Sequence, residues 1–310
     1  MAVFVFSSFY IEAQVDSLVN SGRCISKAKQ YYDSEKYEFA IKELKRIDPR
    51  DTNYVYSLSE LAKAYFENKQ YQEAISTSKL GLKVPSRYRA SLFHSMALGY
   101  NGQRMFDRAQ STLVDALKEF PFDYTLTYRI GVILYGQEKF DDAEAQFFRT
   151  LDLTPFHMGS HLYLSKIAMR RGDKVKGMFA MGIYLALNNK ENTQLQVLEN
   201  FVTNELTDEK TIPQGSSSNP FSRLDAIIAA KISFDEEYKT KIPIDIGIVR
   251  QYQLLFEQIK EQNYTDLSPW VRFYVPVYRD LIKSESQEPF VYYILQSSPI
   301  KEVKQWTEKK

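Results

Sequence analysis

Cysteine is almost missing. Cys24 is the only one in 310 residues, so no intramolecular disulfide can form and no zinc site can be built on thiolates. Arg23 precedes it and the nearest apolar run ends near Ala13. That context lacks the small residues a lipid-anchor cysteine follows, and Cys24 reads as a small packing residue. A dominant charge is missing too: 40 Lys and Arg against 39 Asp and Glu leave a net charge of +1. No global field draws the chain to nucleic acid or an anionic membrane. No run approaches the roughly 18–20 apolar residues of a spanning helix. Glycine is scarce, at 12, and histidine scarcer, at 3. His157 and His161 have the spacing of two metal ligands on one helix face, but Met158 stands where a zinc protease needs its glutamate. There is no Gly-x-Ser-x-Gly elbow, phosphate loop or dinucleotide fingerprint. The reading is no enzyme, no metal and no cofactor. Asp141–Asp142 and Asp235–Glu237 read as helix starts, where negative charge favours the helix dipole.

What the chain has is aromatics, 22 Tyr and 20 Phe, and a period. Tyr88 to Pro121 reads YRASLFHSMALGYNGQRMFDRAQSTLVDALKEFP, and the next stretch, to Pro155, repeats its plan. Phe106 and Phe140 are 34 apart (140 − 106), as are Ala109 and Ala143, Leu113 and Phe147, and Pro121 and Pro155. A fixed period of this length means a repeat architecture. Each unit opens with an apolar-spaced helix, breaks at a short polar turn, and continues as a second helix closed by proline, which cannot extend it. Small residues (Ala97 or Gly131, Ala109 or Ala143) fall where the two helices touch.

The pattern resembles the tetratricopeptide repeat family, on Ala97/Tyr100, Phe106/Ala109 and Pro121, then Gly131, Phe140/Ala143 and Pro155. Leu134 replaces the family's aromatic. Weaker copies precede: Ala28/Tyr31, Tyr37/Ala40 and Pro49, with a short second helix, then Ala62/Tyr65, Tyr71/Ala74 and Pro85, with one residue inserted before the third unit. A fifth, Phe156 to Asn188, is degenerate, with Gly177 for alanine and no closing proline. The resemblance implies an all-α fold: a tetratricopeptide α-solenoid, a right-handed superhelix of helix hairpins, over residues 15–206, its end covered by an amphipathic helix carrying Leu195, Leu198, Phe201 and Val202.

Outside the array, residues 1–14 (MAVFVFSSFYIEAQ) read as the later part of a signal peptide cut near Ala13–Gln14, its positive start lying upstream. That predicts export, to the periplasm or cell envelope of a bacterium of Bacteroidetes type. The alternatives are a hydrophobic cap helix and a cytoplasmic location. Residues 207–221 read as a linker, with two prolines, a glycine and three successive serines. Residues 222–310 read as a small helical domain able to pack back on the array, with Pro276 expected to kink or split its helix.

A tetratricopeptide array implies a groove lined by the first helix of each pair. The inward positions are Lys29 and Tyr32; Tyr56, Lys63 and Phe66; His94 and Leu98; Tyr128, Val132 and Tyr135; and Leu162, Lys166 and Met169, with Arg129 and Arg170 alongside. Aromatics interleaved with cations suit a protein or peptide segment bearing an acidic group. The alternative is that these tyrosines only pack beneath other helices. The family's chaperone-binding clamp would fall on Ile25, Lys29, Glu60, Ser91 and Ser95, and none fits. The expected function is non-enzymatic scaffolding. The alternatives are self-assembly through the repeat ends, and an enzyme using Tyr274, Tyr278, Arg279 and Asp280.

Overall fold

The computed structural model describes residues 19–188, 192–203, 219–230, 235 and 237–309. Among these residues every regular element is an α-helix. The chain divides into two compact units, one ending at Pro121 and one beginning at Phe122. The expected leader, residues 1–14, and most of the expected linker, residues 207–221, lie outside the described residues, which cover neither 1–18 nor 204–218.

The first unit is three helix hairpins: α1 (Ser21–Asp33) with α2 (Tyr37–Leu44), α3 (Tyr54–Glu67) with α4 (Tyr71–Leu82), and α5 (Arg89–Gly102) with α6 (Phe106–Glu119). As the spacing predicts, α2 is short, at 8 residues against 12 in α4 and 14 in α6. The small residues lie where helices touch: Ala28, Ala40, Ala62, Ala74, Ala97 and Ala109 are all buried. Cys24 is buried among Ile25, Ala28, Ile41 and Leu44, and burial pushes its thiol pKa up.

The second unit opens with two more hairpins, α7 (Tyr124–Gly136) with α8 (Phe140–Leu153) and α9 (Met158–Arg170) with α10 (Lys174–Leu187). It continues through α11 (Asn192–Thr203), α12 (Ser222–Ala229), α13 (Gly247–Glu261), α14 (Pro269–Lys283), α15 (Gln287–Leu295) and α16 (Lys301–Thr307).

The period is also written in the backbone. Glu35, Lys69, Arg104, Glu138 and Gly172 all have positive φ, between 58° and 76°. Each closes the first helix of its hairpin: its own N–H bonds three residues back, and the next N–H bonds five residues back (Lys36 to Tyr31, Gln70 to Tyr65, Met105 to Tyr100, Lys139 to Leu134, Asp173 to Ala168). This double bond satisfies carbonyls that a helix end leaves unpaired. Glu285, between α14 and α15, has φ 53° and the same two bonds, to Ile282 and, through Ser286, to Leu281. The C-terminal region therefore contains a sixth hairpin turn of the same construction, although its sequence has no 34-residue partner.

α10 is the axis of the second unit. Its sequence, KVKGMFAMGIYLAL, is apolar all round and nearly every residue is buried; such a helix must be covered on all sides. α9, α11, α12, α14 and α15 cover it. Leu195, Leu198 and Val202 of α11 are buried. The Tyr252 hydroxyl donates to the Met178 carbonyl at 2.8 Å and that of Tyr278 to the Phe179 carbonyl at 3.1 Å. Gly182 makes this approach possible: a Cβ there would stand 2.5 Å and 2.6 Å from the two hydroxyl oxygens. Asp225, from α12, accepts from the Val175 N–H at 2.7 Å at the start of α10. Burial first, and the nearby Asp173 charge, push its carboxyl up to about 6 despite these bonds.

Three local expectations change. α14 is not split, because Pro276 is exposed and the carbonyl it leaves unbonded can turn to water. Asp235 and Glu237 lie in a turn, where Asp235 accepts from the Glu237 N–H at 2.8 Å, while α13 begins only at Gly247. Asn219 and Phe221, at the end of the expected linker, are buried; Phe221 meets Phe179 edge-on at 5.2 Å.

Candidate functional site

In the first unit the predicted stripe runs over α1, α3 and α5. Lys29 is exposed, and Tyr32, Tyr56, Lys63, Phe66, His94 and Leu98 are half-buried. Lys29 Nζ lies 5.5 Å over the ring of Tyr56, and bonding to that phenol holds the Lys29 pKa up. Tyr56 stacks on Tyr88 at 4.9 Å. Tyr32 donates to Glu67 at 3.4 Å; burial, then the Glu67 charge, push its phenol up to about 12. Lys63 is paired with Glu60 at 2.8 Å. The first-unit cations therefore have local partners, and Phe66 leans on Tyr71 at 5.8 Å.

In the second unit the stripe runs over α7 and α9. Tyr128, Arg129, Val132, Tyr135, Leu162, Lys166 and Met169 are half-buried and Arg170 is exposed. The structure brings Tyr128 and Tyr135 together around a residue that sequence reasoning missed, Tyr163. Its ring stacks on Phe147 at 5.1 Å, meets Tyr135 edge-on at 4.9 Å and lies 6.1 Å from Tyr128. Lys166 Nζ sits 5.4 Å over the same ring. The signal was available: Tyr163 is one period beyond Arg129. Leu162, the position chosen instead, takes the place of Tyr128 in the next repeat.

His157 is bound into this cluster. Its ring lies 4.5 Å from that of Tyr128, and its Nδ1 accepts from the Ser160 N–H at 3.1 Å as the N-cap of α9. Burial, then the Arg129 charge, lower its pKa, so it brings no charge to the face. His161 points elsewhere. Its Nε2 faces the Pro155 carbonyl at 2.9 Å, which can only accept, so that nitrogen carries the proton. Nδ1 then accepts from the Tyr274 hydroxyl at 2.7 Å. The two histidines thus serve different structural tasks.

The four C-terminal residues named for the enzyme alternative are not assembled. Tyr274 and Tyr278 are fully buried, and the Asp280 side chain is 73% exposed. Arg279 donates to the carbonyls of Ile259 and Gln262 at the end of α13. Among the described residues no group of three or more His, Cys, Asp or Glu is placed to hold a metal ion. No helix among them is long and apolar enough to cross a membrane.

No curated protein sequence matches the chain. Solved structures of low identity resemble it. The crystal structure of MamA is 16% identical over 52% of this chain and 93% of its own, with a TM-score of 0.43. That of YrrB, a TPR protein with an unusual peptide-binding site, is 15% identical over 57% of this chain and 91% of its own, with a TM-score of 0.41. At this level neither neighbour assigns a role. Residues 95–157 match the tetratricopeptide repeat model, and the array of helix hairpins around them has the tetratricopeptide solenoid fold.

Proposed function

We propose that this protein is a non-enzymatic scaffold that binds a partner protein or peptide on the first-helix faces of its hairpins. One observation carries the reading: α7 and α9 contain no Asp or Glu, and their half-buried Tyr128, Tyr135 and Tyr163 are interleaved with Arg129 and Lys166. Half-exposed aromatic rings already fixed by packing lose little freedom on binding and supply most of the contact energy in such interfaces. The alternative, that the tyrosines serve packing alone, accounts for the buried edge of each ring and not for the edge that stays open.

The test is affinity capture from the native host with the full chain and with Tyr128→Ala/Tyr135→Ala. Loss of about 2–4 kcal/mol of partner affinity, with the helical circular-dichroism signal unchanged, is expected if both rings are anchors. Equal recovery of the partner by the double variant removes the groove.

The reading includes export from a bacterial cytoplasm, on the strength of the apolar residues 1–14, and a division into array, linker and helical C-terminal domain. N-terminal sequencing of the mature protein tests export: an intact Met1 in the cytosol ends it.

A further inference from the structure

The second unit has three half-buried arginines among its described residues: Arg129, Arg250 and Arg279. Two are saturated. Arg250 donates to Asp245 at 2.8 Å and to the Asp235 carbonyl at 3.2 Å, and Arg279 donates to the carbonyls of Ile259 and Gln262. Arg129 is different. It forms no hydrogen bond and no ion pair with any described residue, and its Nε is shielded from solvent with no acceptor. A guanidinium carries five donors in a fixed fork and no acceptor. Leaving such a group partly desolvated and unpaired costs free energy that a partner can return.

The surroundings say what kind of partner. Arg129 lies against Tyr128, with its Cζ 5.6 Å from the ring centroid, and its charge reaches Tyr163 and His157. Lys166 adds a second cation that has no carboxylate partner among the described residues. Arg170 is the third, with an exposed contact to Glu138 at 3.4 Å and its Cζ 5.2 Å over the ring of Phe140. α7 and α9 themselves supply no acid. Of the acids on α8, Asp141 and Glu144 are taken up by Arg171, Asp152 faces Arg272, and Asp142 is exposed. The face thus has two cations, Arg129 and Lys166, without counter-ions among the described residues, beside rings that exclude water.

From this we infer that the α7–α9 face binds an acidic peptide segment whose Asp or Glu carboxylate is seated on Arg129 and flanked by Tyr128 and Tyr163. The inference rests on the proposed groove and names its ligand class. A carboxylate matches the planar fork in a bidentate way, and the water-poor setting strengthens that pair. An acidic peptide is favoured over a nucleic acid because the chain is nearly neutral overall and the patch holds only three cations, Arg129, Lys166 and Arg170.

The test uses a displayed library of random 12-residue peptides panned on the full chain. Selected peptides are expected to share an Asp or Glu at a fixed position. The corresponding synthetic peptide is expected to bind roughly 10- to 100-fold more weakly to Arg129→Gln, or when that acid is replaced by its amide. Arg129→Lys, which keeps the charge without the fork, is expected to fall between, and circular dichroism confirms that each variant is folded. Peptides sensitive to Tyr128→Ala/Tyr135→Ala but without a shared acid, or indifferent to Arg129→Gln, overturn the inference and leave the groove standing. Peptides indifferent to all these substitutions overturn both. Tighter, Arg129-dependent binding of a single-stranded oligonucleotide than of any selected peptide overturns the peptide assignment.

Discussion

The Tyr274 hydroxyl donates to His161 Nδ1 at 2.7 Å, across 113 residues of sequence. The bond is possible only while the imidazole is neutral, since its other nitrogen already donates to Pro155. Burial lowers the His161 pKa from 6.5 to about 4. The sign follows from linkage. The unfolded chain takes up a proton near 6.5 and the folded one only near 4, so stability is full above 6.5 and falls as pH drops through that window. The loss is about 3 kcal/mol by pH 4.

Asp225 works against this trend. Its carboxyl is raised from 3.8 to about 6, so its contribution is full below 3.8 and is lost as pH rises through 6. Comparing wild type with His161→Gln separates the two. Urea unfolding at pH 7, 5.5 and 4.5 is expected to give a flatter profile for the variant. Parallel profiles would mean that His161 is not the titrating group.

Gly182→Ala is expected to destabilise the protein by about 1–3 kcal/mol, because the added methyl meets two fully buried phenols that have nowhere to move. The specific check is rescue. Adding Tyr252→Phe and Tyr278→Phe removes both clashing oxygens, leaving Tyr252 Cζ at 3.2 Å. The triple variant should recover part of the loss in denaturant midpoint. No recovery would place the damage elsewhere.

The five repeat turns offer a test with opposite signs. Lys69 occupies a left-handed position at φ 60° with no side-chain partner, while Gly172 occupies the equivalent one at φ 76°. Lys69→Gly is expected to stabilise, and Gly172→Ala to destabilise, each by roughly 0.5–1 kcal/mol. Thermal unfolding of the two variants with shifts of the same sign would contradict this account of the turns.

Pro276→Ala should raise stability by about 1–3 kcal/mol, since the exposed proline breaks one helical bond inside α14 and alanine restores it. Amide exchange at position 276 should show protection in the variant. A loss of stability would show that the proline shapes the docking of α14.

Most of the fold was legible because repeats are written in small residues. Ala40, Ala74, Ala109 and Ala143 admit no side chain larger than a methyl at the contact between helices, and they recur with the period. The C-terminal region was legible as helical, but not as the cover of α10, since nothing in a linear pattern says that Tyr252 and Tyr278 both reach carbonyls of α10 close to Gly182. The sixth turn, at Glu285, was hidden because its second helix carries Phe290 where the repeats carry alanine. At the site, spacing picked out Tyr128 and Tyr135 but not Tyr163, the ring between them, because Leu162 was projected inward in that repeat and the position beside it was not, although Arg129 beside Tyr128 was.

The encasement of α10 gives the array a direction. A hairpin array ordinarily offers its last helix to whatever stacks next, and chains of such molecules grow by joining those ends. Here α10 is covered by α9 before it and by α11, α12, α14 and α15 after it, so a further hairpin could stack on α10 only after the C-terminal helices were peeled away.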